Sequence, residues 1–410
     1  MGTLTCGMAG VFTRSGHSHS TEPVSKVAFS ALWLGPARPY FVKIESDGTW
    51  PFKSIASFWN DLPRSLFGPL EEEAGCLLPS HQRVAVILET VRIEEFVKEP
   101  VVWLGRPPYP RKPLARAFIA KAALNITTTA DLVDRLRVDR RLRRVCGILG
   151  RVPSESTFSR AFDEFAQSGL LDAVHATAVK THLGSEVVHH ASHDSTAIPG
   201  RERCPKKPKE PDKPKPGRGG RRVTGQKPPP TVQELQEKRG WKESLTLLPS
   251  ACDYGVKIGP KGYPIHWRGY KAHVSTADDG TPLAMFTTSA SVSDCTCAIP
   301  LMQMVTERVG QVFYNLFDAG YQGKPIVRVS EKLGQVPIVA PKKTKKDEPP
   351  IPLTPDRFKR FASRTTVERF NSDLKENHGG NFIFVRGPRK VHTHLMFGTL
   401  CIFDLRVLRI

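Results

Sequence analysis

Apolar residues recur at helical spacing through the front of the chain and at strand spacing through the back, with a polar, proline-rich interval between. Residues 1–50 mix Gly, Ser, His and Pro without sustained periodicity, so a poorly ordered leader is expected there. From 51 the pieces become amphipathic, the clearest being Ser80 to Val91, until the proline-rich 100–113 breaks the pattern. Pro113 then opens a helix over Leu114 to Leu124, Thr128 or Thr129 can cap Ala130 to Val138, and Arg140 to Cys146 reads as a further short helix. Ser154 is placed to cap Glu155 to Ser168, where Phe158, Phe162 and Phe165 share one face and Gly169 stops the run.

Strand periodicity follows. Val187 to Ile198 reads as a strand ended by Asp194, and Trp267 to Thr276 returns as Pro282 to Thr288 through the turn Asp278-Asp279-Gly280. Asp294 can cap a helix reaching about Arg308, Val312 to Phe317 is a short apolar strand with Asp318 directly after it, Lys324 to Leu333 is helical, and Val336 to Ala340 is a fifth strand. A last helix covers Phe361 to Glu376. The order β-β-β-α-β-α-β-α predicts an α/β fold, a mixed five-stranded sheet flanked by helices, preceded by an all-α part.

The last helix carries the most pointed pattern. At 100° per residue, Phe361, Arg364, Glu368 and Lys375 fall within an arc of roughly 60°, while Val367, Phe370 and Leu374 form a separate apolar stripe. A solvated face with an Arg364–Glu368 pair gives this arrangement. So does a carboxylate held among cations where a metal ion and phosphate oxygens meet.

Charge favours the second reading. The 410 residues carry a formal charge of +20, with a pI near 9.7, which points to a polyanionic partner, nucleic acid ahead of membrane surface. Between residues 201 and 230 stand eleven Lys or Arg against three acids and eight Pro, a flexible insertion within a domain that either is merely solvated or attracts phosphates without regard to sequence. Arg137, Arg140, Arg141, Arg143, Arg144, Arg151 and Arg160 crowd the helices over 113–170, whose helix, Gly-containing turn, helix outline is that of a helix-turn-helix. An ordinary helical bundle with a basic face has the same outline.

Other classes recede. No apolar run reaches about 18 residues, so no membrane span is expected, and the start is too weakly apolar for a signal peptide. Eight cysteines show no zinc spacing, and His189, His190 and His193 have no fourth ligand at a recurring distance. A cytoplasmic, nucleoid-associated protein is the expectation.

The acids Asp194 in HDSTAI, Asp318 in DAGY and Glu368 on the late helix, taken with Phe361-x2-Arg364-x3-Glu368-x6-Lys375, resemble the DDE transposases of bacterial insertion sequences. That family has a ribonuclease H-like catalytic domain and carries Tyr where Phe361 stands, so a hydrogen bond from that hydroxyl is lost here. The WRGYK hairpin at 267–271 is similar too. The resemblance implies catalytic, metal-holding Asp194, Asp318 and Glu368, with two Mg²⁺ ions that Mn²⁺ could replace, Asp194 bridging both. It implies Arg364, Lys375, Arg268 and Lys271 on DNA, joined by Arg140, Arg141, Arg144 and Arg160 from the front half.

The implied domains are a leader at 1–50, a mainly helical DNA-binding domain at 51–180 and a ribonuclease H-like catalytic domain at 181–410 with a basic insertion at 200–235. The implied activity is binding terminal inverted repeats, hydrolysing phosphodiester bonds at the element ends and joining the 3′-OH to target DNA, in a homodimer on double-stranded DNA. A non-catalytic DNA-binding descendant of such an enzyme and a nuclease that cuts without joining are the alternatives.

Overall fold

A computed structural model describes residues 28–32, 40–44, 67–100, 107–205, 229–259, 262–342 and 352–408. Most of the expected leader, and the basic insertion from 206 to 228, lie outside them. The chain forms two compact units, Met1–Leu77 with Ile410, and Leu78–Arg409.

In the first unit, β1 (Ala28–Leu32) pairs antiparallel with β2 (Tyr40–Ile44), Ala28 opposite Ile44. This ribbon lies in the stretch where the sequence shows no sustained pattern. Helix α1 (Gly68–Ala74) follows, with Pro in its first turn.

The second unit begins with α2 (Pro79–Val91), α3 (Ile93–Phe96), α4 (Arg111–Ala123), α5 (Thr129–Val138), α6 (Arg140–Val145), α7 (Glu155–Ser168) and α8 (Leu170–Leu183). Thr128 caps α5 through a reciprocal bond with Asp131, and Asp139 caps α6. Gly169 ends α7 at φ 65°, the left-handed stop expected of it. Ser154 departs from expectation: its hydroxyl bonds Ser156 at 3.0 Å and Thr157 at 3.1 Å instead of a backbone N–H, because neighbouring hydroxyls compete for it.

Phe158, Phe162 and Phe165 are buried around Phe118, their ring centroids 5.7, 5.1 and 6.4 Å from it in edge-on contact. Phe397, on the last helix α15 (Pro388–Val407), closes the cluster 5.6 Å from Phe118. The same helix packs on the sheet, which is why the helical part and the sheet form one unit. Apolar on nearly every side, α15 has no amphipathic stripe to announce it in the sequence.

Between the strands in sequence lie α9 (Val232–Gln236), α10 (Trp241–Thr246), α11 (Ala298–Arg308) and α12 (Lys324–Lys332). The sheet has six strands: β3 (Val187–Pro199), β4 (Asp253–Ile258), β5 (Pro264–Thr276), β6 (Pro282–Ser289), β7 (Gln311–Phe317) and β8 (Val336–Val339). Its order is β4-β5-β3-β7-β8, with β6 also on β5. β6, β5 and β3 run antiparallel, while β3, β7 and β8 are parallel. Five strands are those the sequence predicts. The sixth, β4, was missed because Gly255 interrupts its alternation; Trp267 lies across that glycine, where a Cβ would stand 2.3 Å from the indole.

Two further corrections bear on the site. Asp194 does not end its strand: β3 loses its β7 neighbour after the pair His193–Phe317 but stays paired with β5 to Pro199. The late helix is also not a single element. α13 (Pro355–Phe361) gives way to a tight 3₁₀ turn at Ala362–Arg364 before α14 (Thr365–Asn377). Val367, Phe370 and Leu374 are buried on α14, as their spacing predicts.

One buried carboxylate carries a pH prediction for the fold. Asp404 on α15 is fully buried, and burial pushes its pKa from 3.8 up to about 7 against the smaller pull of the Thr90 hydroxyl. A raised folded-state pKa gives stability that is complete below the unfolded value and lost as pH rises through the folded one. The urea midpoint is therefore expected to fall between about pH 4 and about pH 7 and to level off above that, and Asp404→Asn is expected to flatten that fall.

Candidate active site

Three elements bring the expected acids to one edge of the sheet. The parallel pair His193–Phe317 puts the next residues, Asp194 and Asp318, side by side at the point where β7 stops. α14 packs against β3 and β5, its Thr366 hydroxyl 3.3 Å from that of Thr276, and carries Glu368 to the same place. Beneath the acids the strands are locked together. The buried His193 ring stacks on Phe317 with centroids 4.5 Å apart, and its Nε2 meets Asn315 Oδ1 at 2.9 Å.

Arg364 is the hub. Its guanidinium donates to Glu368 Oε1 at 2.7 Å and to Asp194 Oδ1 at 3.2 Å, joining two of the three carboxylates. The bland Arg364–Glu368 pair is therefore present, and it also reaches across to the sheet. Asn371 Nδ2 donates to the other oxygen of Asp194 at 3.0 Å. Sequence reading missed Asn371, although at 100° per residue it falls about 20° from Arg364 on the same helix face.

Asp194 sits in a high-energy setting. Burial, with lesser contributions from the negative charges of Asp318 and Asp294, lifts its pKa from 3.8 to about 6 against the pull of Arg364. Asp318 and Glu368 are exposed, and Asp318 Oδ1 accepts the backbone N–H of Ala319 at 2.6 Å. Below them the buried Tyr321 hydroxyl has no hydrogen-bond partner, and burial together with Asp294 and Asp194 raises its pKa.

Asp294 does not cap the helix Ala298–Arg308, whose N-cap is Cys297. It opens a 3₁₀ turn, Asp294–Cys297, and Oδ1 accepts from the Ser195 hydroxyl at 2.8 Å and the Lys271 ammonium at 2.9 Å. Lys271 also donates to Val292 O at 2.9 Å, so its charge faces Asp294. Asp279 does serve its local turn, bonding Thr281, while Asp278 reaches across to His190.

Lys375 is half-buried on α14 with its pKa lowered, first by burial, then by Lys257, with Asp194 opposing. Phe361 ends α13, one turn before Arg364. Arg268 is exposed on β5. Arg140 and Arg160 are exposed and Arg141 and Arg144 half-buried on α6 and α7, away from the carboxylates, and Arg160 Nε bonds Ser156 O at 3.3 Å.

As the side chains stand, no three His, Cys, Asp or Glu groups among the described residues are close enough together to hold a metal ion. The donor chemistry nonetheless suits one. The acids offer hard oxygens, and the mutual repulsion of Asp194 and Asp318 is relieved by a cation.

A family model for the transposase DDE domain matches residues 190–403, a span that contains all three acids, and a second, for a transposase domain, matches residues 72–164. No curated protein and no solved structure matches the chain. The chain belongs to the DDE transposases of the insertion-sequence type. Among the described residues no helix is long and apolar enough to cross a membrane.

Proposed function

We propose that the protein binds the terminal inverted repeats of its own element, hydrolyses phosphodiester bonds at the ends and joins the freed 3′-OH to target DNA. The observation that carries this reading is Arg364 joining Asp194 to Glu368, with Asp318 next to Asp194 where β7 stops. Three antiparallel strands followed by two parallel ones, with the acids at the junction, support a ribonuclease H-like catalytic domain over 181–410. The leader at 1–50 and the basic insertion at 200–235 complete the division. The helical region at 51–180 would recognise the ends through Arg140, Arg141, Arg144 and Arg160, in a homodimer that pairs them.

Asp194, Asp318 and Glu368 would hold Mg²⁺, as a pair of ions, with Mn²⁺ as substitute. Such ions, when bound, polarise the phosphodiester and stabilise charge on the attacking and leaving oxygens. Asn371 fixes the orientation of the Asp194 carboxylate from one side, and Arg364 from the other. Arg364 neutralises two acids, and its guanidinium, with Lys375 further along α14, would offer the charge that pairs with a DNA phosphate. Arg268 and Lys271 on β5 are further candidates, Lys271 only by leaving Asp294.

The test is a labelled duplex of the DNA flanking the reading frame, incubated with the protein and Mg²⁺. Cleaved ends and joined products are expected. Cleavage without joining would favour a nuclease, and binding without cleavage a non-catalytic descendant.

A further inference from the structure

β4 and the outer half of β5 form a two-stranded ribbon that β3 does not reach, since β3 pairs with β5 only from Gly269 onward. Directly opposed residues share a face of a sheet. The pairs Tyr254–Arg268, Val256–His266 and Ile258–Pro264 therefore form one face. Gly255–Trp267 and Lys257–Ile265 form the other. Tyr254, Val256 and Ile258 are 60, 54 and 69 % exposed, an apolar stripe open to solvent on an edge strand. Such a stripe invites a partner.

Its charge says which kind. From Asp253 to Gly269 the ribbon has Lys257, Lys261, His266 and Arg268 against one acid, Asp253 at its root. On the opposite face, Lys257 lies near enough to Lys375 for the two charges to be felt. A second copy of this basic ribbon would be repelled; a polyanion would not. A two-stranded ribbon is also of a size that the major groove admits, and its paired length of about 20 Å covers more than half a turn of duplex.

We propose that the β4–β5 ribbon is a DNA-binding arm that enters the groove of the duplex beside the catalytic carboxylates, with Lys257 contributing a phosphate contact next to that of Lys375. The arm's inference rests on the transposase reading of the site. Tyr254, Val256 and Ile258 make the apolar contacts to sugars and base edges, and Arg268 stands among them. Lys257 is the new contact, outside the late-helix motif.

Two measurements on the full chain test this, both with a labelled duplex of the DNA flanking the reading frame. Val256 is replaced by photoreactive p-benzoylphenylalanine and the complex is irradiated; a protein–DNA adduct is expected. In parallel, Lys257→Ala, checked for an unchanged melting curve, is expected to lower the slope of log affinity against log salt by about 1, the contribution of one phosphate. An adduct to a second protein chain, or no adduct together with an unchanged salt slope, in a preparation whose wild type cleaves the duplex, overturns the arm and leaves the active site standing. A wild type that neither binds nor cleaves the duplex overturns both.

Discussion

Asp194→Asn is expected to lower end cleavage by about a thousandfold and, at the same time, to make the metal-free protein more stable at neutral pH. Both follow from the environment of the carboxylate. Losing a charge that steadies the transition state removes several kcal/mol, and about 4 kcal/mol is a factor of about a thousand. In the absence of metal the same charge is a liability, because burial and the neighbouring acids raise the pKa from 3.8 to about 6. With the sign worked out, its stabilising contribution is complete below about pH 4 and is lost as pH rises through about 6, so at pH 7 the ionised group costs on the order of 3 kcal/mol.

The amide fits the site. It can still accept from Arg364, and Asn371 can turn its own unpartnered Oδ1 toward the new N–H. Differential scanning calorimetry with chelator present checks the rise in melting temperature, and a cleavage gel checks the loss. A variant that melts below wild type would show that the acid is held for stability.

Gly269→Ala is expected to destabilise the fold by on the order of 4 kcal/mol and to inactivate the enzyme, although it removes no reactive group. Gly269 has φ 149°, and a Cβ there would stand 2.2 Å from Ile198 O and 2.4 Å from Gly200 N. Those are backbone atoms at and just past the end of β3, the strand that carries Asp194, and Gly200 N donates to Arg268 O at 2.8 Å across the same crossing. Relief would require β3 and β5 to part just where they position the acid and the root of the ribbon. Urea denaturation measures the loss. Gly150→Ala, where nothing lies within 4 Å, is the control and is expected to change stability by no more than about 0.5 kcal/mol.

What could be read in the sequence was whatever is local and periodic. The buried stripe of Val367, Phe370 and Leu374 and the Arg364–Glu368 contact follow from helical spacing alone, and β7 with Asp318 directly after it follows from a short apolar run. What escaped depends on partners far along the chain. Asn371 matters only because Asp194 is across from it, 177 positions away, and Asp294 looked like a cap until Ser195 and Lys271 folded onto it. Strand β4 and helix α15 escaped for opposite reasons. One shows its apolar residues to solvent around a glycine that makes room for Trp267, and the other is apolar all round. Asp194 seemed to end a strand because the polar run after it hides continued pairing with β5 alone.

The central claim is that Asp194, Asp318 and Glu368 act as one unit on DNA. The most direct test is cleavage of the labelled end duplex by Asp194→Asn, Asp318→Asn and Glu368→Gln, each assayed at a protein concentration that gives the same bound fraction as wild type. The account predicts that every single change brings cleavage down to background while the duplex stays bound. Cleavage within tenfold of wild type in any one of the three would contradict it.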